Sequence, residues 1–75
     1  MTPREILAFA VEELKAEYVR TRHDPREEGF NKIRGYHITL FETVLRTGGE
    51  VSEEHRKLAI ALLDDLKRGW NRISQ

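Results

Sequence analysis

Apolar side chains return every three to four positions along most of this chain, which is the period of an amphipathic helix. In the first third, Leu7, Ala10, Val11, Leu14 and Tyr18 fall on one stripe, with charged residues on the remaining surface. In the last third, Leu58, Ala59, Leu62, Leu66, Trp70 and Ile73 do the same. The middle is more ambiguous. Phe30, Ile33, His37, Leu40, Phe41 and Val44 share a helical face, yet Tyr36 to Val44 is rich in strand-favouring residues, and Gly29 and Gly35 weaken a helix. A strand there would find no second strand-like run in the chain and could pair only with another copy. Helix is therefore the expected state, with an intermolecular strand over 36–44 as the alternative.

Helix punctuation sets the boundaries. Thr2-Pro3-Arg4-Glu5 offers a hydroxyl cap, a proline at the first helical position and a glutamate three residues after the cap. This is a capping box, in which each partner satisfies a backbone N–H left over at the helix end. Asp24-Pro25-Arg26-Glu27 repeats the arrangement with aspartate as cap, and Ser52 followed by Glu53 and Glu54 marks a third start. Gly48-Gly49 is a stop. The spacing predicts helices over about 3–22, 25–46 and 53–73. The connections near His23 and between Thr47 and Val51 are short, so neighbours run antiparallel. The expected fold is an all-α, up-down-up three-helix bundle forming a single domain over residues 1–75. Gly69 lies inside the third helix and weakens its end.

Composition narrows the class. A chain of 75 residues buries only about 60% of its unfolded surface and gains stability from association. There are no cysteines, hence no disulfide and no thiolate metal site. With no signal-peptide pattern at Met1 to Glu5 and no long apolar run, a soluble, cytoplasmic protein with no membrane partner is expected. The 13 basic residues balance 13 acidic ones, which argues against a dedicated binder of phosphate backbones.

Candidate chemistry is sparse. His23, His37 and His55 have no spacing that places two on one helix face. His37 sits within the apolar stripe, where a partly buried, hydrogen-bonded imidazole is expected; a pH-sensitive switch is the sharper alternative, because charging such a ring away from water is costly. The acid pairs Glu12-Glu13, Glu27-Glu28, Glu53-Glu54 and Asp64-Asp65 diverge around their helices, as solvated faces do. Ser52 is accounted for as a cap, and Gly48-Gly49 precedes no phosphate-loop lysine. No catalytic, cofactor or metal site is expected, and no small-molecule substrate.

Two surface features remain. In an up-down-up bundle, Arg20, Arg22, Arg26, Lys32, Arg34, Lys67, Arg68 and Arg72 gather at one end, where cations also suit helix C-termini. Phe9 and Ile60 project away from their stripes, and Tyr36, Ile38 and Val19 lie at the flanks. Apolar outliers gathered into one patch mark an interface. The expected function is thus a non-enzymatic helical interaction module, an adaptor, regulator or inhibitor that occupies a surface of a larger protein, of the size found on mobile elements and phages. Phe9, Tyr36 and Ile60 are its expected apolar anchors, with Arg20, Arg22, Arg34 and Arg68 setting electrostatic choice of partner. Self-association as a homodimer is a further form of the same idea. The alternative is nucleic-acid binding through the basic end, as a dimer, with Trp70 and Tyr36 stacking on bases.

Overall fold

The first helix opens as its capping box requires. Thr2 Oγ1 accepts from the Glu5 N–H at 3.2 Å, and the Glu5 carboxylate accepts from the Thr2 N–H at 3.0 Å. Helix α1 then spans Pro3–Thr21. The computed structural model describes the backbone of residues 1–74 and the side chains of residues 1–68. The sequence expectations for Trp70, Arg72 and Ile73 therefore lie outside the described side chains.

The second start differs from the expected box. Asp24 accepts from the Arg26 N–H at 3.0 Å, but the reciprocal half is missing. The Asp24 N–H goes instead to the Thr21 carbonyl at 2.9 Å, and the Glu27 carboxylate accepts from Arg34 at 3.1 Å. With glutamate drawn to the arginine, Pro25–Glu27 forms a 3-10 turn and α2 runs over Glu28–Thr47 rather than 25–46. Residues 36–44 lie inside this helix, so the strand alternative is overturned. A strand's backbone groups need a partner strand, whereas a helix satisfies them within its own segment. Gly48 ends α2 in the left-handed conformation at φ 74°, which costs glycine little and other residues more. Ser52 Oγ accepts from the His55 N–H at 3.1 Å, and α3 follows over Glu53–Ser74.

These helices form an all-α three-helix bundle, with α1 packed against both α2 and α3, while among the described residues α2 and α3 approach each other little. Leu7, Ala10, Val11 and Leu14 of α1, Phe41 of α2 and Ala59 of α3 are buried together. Ile38, Leu40, Val44, Leu58, Leu62 and Leu66 pack around them. Arg4 ties the start of α1 to the end of α2, donating to the carbonyls of Leu45 and, at 2.7 Å, of Gly49. It thereby satisfies acceptors that a helix end leaves open. At the other end of the α1–α2 pair, the buried Thr21 and Asn31 side chains bond each other, with Asn31 Nδ2 donating at 3.0 Å.

Burial along α2 is uneven. Phe41 is fully covered, but Phe30 and Ile33 on the same stripe are 60% and 54% exposed. Tyr18 of α1, also expected on a buried stripe, is exposed as well. No helix among the described residues is long and apolar enough to cross a membrane.

Candidate functional site

Beside its core stripe, α1 carries a second one: Phe9, Glu13, Ala16, Glu17 and Arg20 succeed one another at steps of three and four, with Glu17 adjoining Ala16. Side chains so spaced lie one above another on one helix face. On α3, Lys57, Ile60, Asp64 and Lys67 are spaced alike. Both helices run in the same direction, so the two stripes line one open groove of about 870 Å³. Phe9, Ala16, Ile60, Ala61, Leu63 and Leu66 make it largely apolar; of its two banks, α1 also contributes Glu13, Glu17 and Arg20, and α3 Lys57, Asp64 and Lys67.

The structure thus brings together the two outliers from different helices. Phe9 and Ile60 line the same groove, at 44% and 43% exposure. Tyr36 is not among the lining residues. It stands exposed on α2, edge-on to the His37 ring at 5.4 Å. His37 is half-buried and stacks on Phe41 at 6.2 Å; its Nδ1 is buried without a hydrogen-bond partner among the described residues.

Acids compensate most of the four arginines expected to choose a partner. Arg20, on the groove bank, forks onto Glu17 at 2.6 Å, and this hydrogen bond raises the pKa of its guanidinium further. Arg34 has only 16% of its side chain exposed. It donates to Glu27 at 3.1 Å and to Asn31 Oδ1 at 2.9 Å, lies 3.9 Å from Glu17, and covers the Phe30 ring at 5.7 Å. Its planar fork is well suited to join two carboxylates and an amide from α1, the turn and α2. Arg68 bonds Asp64 one turn away on α3. Arg22 alone of the four forms no ion pair among the described residues, and it lies away from the groove beside His23 and Lys32.

Sequence reasoning did not single out Ala16, Lys57 or Leu63, and it took Glu13 only as half of a solvated acid pair. The 9–13–16–20 spacing was the available signal, but three of its four positions are small or charged, so it does not register as an apolar stripe. Among the described residues, no three His, Asp or Glu side chains gather to hold a metal ion. Comparison with protein-family models, with curated proteins and with solved structures finds no match for this chain.

Proposed function

We propose that this protein is a non-enzymatic interaction module whose α1–α3 groove receives an amphipathic helix of a larger protein. One observation carries this reading. The apolar outliers Phe9 and Ile60 open on one largely apolar groove between parallel helices. A helix in such a groove buries an apolar stripe at i, i+3, i+4 and i+7 and keeps its polar flanks in water. Phe9 and Ile60, nearly half exposed in the free protein, are the anchors that the partner desolvates, and Ala16 and Ala61 allow close approach of its backbone. Occupying a partner's helix in this way is how a small adaptor, regulator or inhibitor acts.

Charge pairing supports a protein partner over nucleic acid. Arg20, Arg34 and Arg68 already face carboxylates, which weakens the field that the basic end offers to phosphates.

The test uses a synthetic amphipathic helix with a leucine and alanine stripe and uncharged glutamine flanks. Titrated into the labelled protein and followed by NMR, it is expected to shift the resonances of Phe9, Ala16, Ile60 and Leu63 most. Shifts centred on Phe30 and Ile33, or no shifts at all, would reject the groove as the docking face.

A further inference from the structure

Electrostatic accounting of the banks goes one step beyond the groove reading, on which it rests. Glu17 is taken up by Arg20 and Arg34, and Asp64 by Arg68. Glu53, one turn before Lys57, is taken up by Arg56. Three exposed bank residues are then left in no ion pair among the described residues: Lys57 and Lys67 on α3, and Glu13 on α1. The lysines are ten positions apart on α3, or about 15 Å at a rise of ~1.5 Å per residue. Since α1 and α3 start at the same end, Glu13 falls between them on the opposite bank.

We infer that the helix this groove takes bears two acidic residues about three turns apart on the margin facing α3, and a basic residue midway on the margin facing α1. A ligand helix lying along the groove has the same rise as α3, so acids at that spacing meet Lys57 and Lys67 together. Reversing the ligand helix exchanges its two margins, so acids set along one margin meet both lysines in one docking direction only. A second copy of this chain is a poorer occupant. Its groove presents the same two unpaired lysines and one glutamate, and face-to-face pairing sets like excess charge against like.

Two labelled peptides of about five helical turns test this. Both carry one leucine and alanine stripe. One has glutamates at the two end margins and a lysine between them, and the other has these charges exchanged. Fluorescence anisotropy is expected to show the acid-margined peptide binding about tenfold tighter at low salt, with the gap closing at high salt. The exposed double substitution Lys57→Glu, Lys67→Glu is expected to keep the circular dichroism of the parent and to reverse the preference. Equal affinity for both peptides, lost together in Phe9→Glu, overturns the charge inference and leaves the groove reading standing. Binding of neither peptide overturns both. A wild-type dimer in sedimentation that Phe9→Glu dissociates gives the groove to a second copy and overturns the inference.

Discussion

Two phenylalanines on one stripe of α2 have opposite fates. Phe41 is fully buried, whereas Phe30, three turns earlier, is 60% exposed. The difference lies in what reaches them. Phe41 belongs to a cluster with Leu7, Ala10, Val11 and Leu14 of α1 and Ala59 of α3, so three helices close around it. Around Phe30 the aromatic contact among the described residues is the guanidinium of Arg34, and Phe30 is not one of the residues packed into or against that cluster. Periodicity decides which face of a helix turns inward. Whether a third helix arrives to cover that face is a tertiary matter. The same contrast applies around α1, whose second stripe meets α3 as an open groove.

The largest expected effect separates the two ends directly. Phe41→Ala is expected to cost about 3–5 kcal/mol, from lost transfer free energy and the cavity left behind. Phe30→Ala is expected to change stability by only ~0.5 kcal/mol. Urea unfolding of both variants is the check, and equal losses would erase the distinction.

Next comes the polar junction that Arg34 makes between α1, the turn and α2. Arg34→Ala takes the donor from Glu27 and leaves Asn31 Oδ1 with Thr21 alone, and is expected to cost about 1–3 kcal/mol, by the same measurement. A neutral result would reduce the junction to a surface decoration. Smaller again is the turn closing α2. Gly48→Ala places a side chain at φ 74° and is expected to destabilise by about 1 kcal/mol, although nothing lies within 4 Å of the added carbon. A loss of this size identifies backbone conformation as the cause, since crowding is absent.

The smallest effect is acid sensitivity. Hydrogen bonds from Thr2 hold the Glu5 carboxyl below its ordinary value, the Arg26 side chain does so for Asp24, and the Arg56 side chain for Glu53. Groups lowered in this way bind protons less readily folded than unfolded. Their contribution is present above the ordinary carboxylate range and is lost as pH falls through it, below about 4. All three are at the surface, so a modest decline in melting temperature over that window is expected. A stability that rises on acidification would contradict the assignment.

Much of this fold was legible because its helix starts are written in short-range chemistry. Thr2 with Glu5, Ser52 and Gly48 act where their residue types suggest. Asp24 misled because Glu27 had a stronger suitor seven positions on, in Arg34, and a local motif carries no trace of that competitor. Phe9 and Ile60 could be picked out as misplaced apolar residues, but their convergence depends on how α3 lies along α1. The neutralisation of Arg20, Arg34 and Arg68 was equally hidden. Charge totals show that acids are available, and only the fold shows which arginine each one meets.

On the proposed reading, Phe9 and Ile60 serve a partner more than the fold. Stability and peptide affinity measured together on Phe9→Glu and Ile60→Glu test it most directly. Each variant is expected to unfold within about 1 kcal/mol of the parent while its affinity for the acid-margined helix falls at least about tenfold. Undiminished binding, or a loss of binding that merely tracks a loss of folded protein, would contradict it.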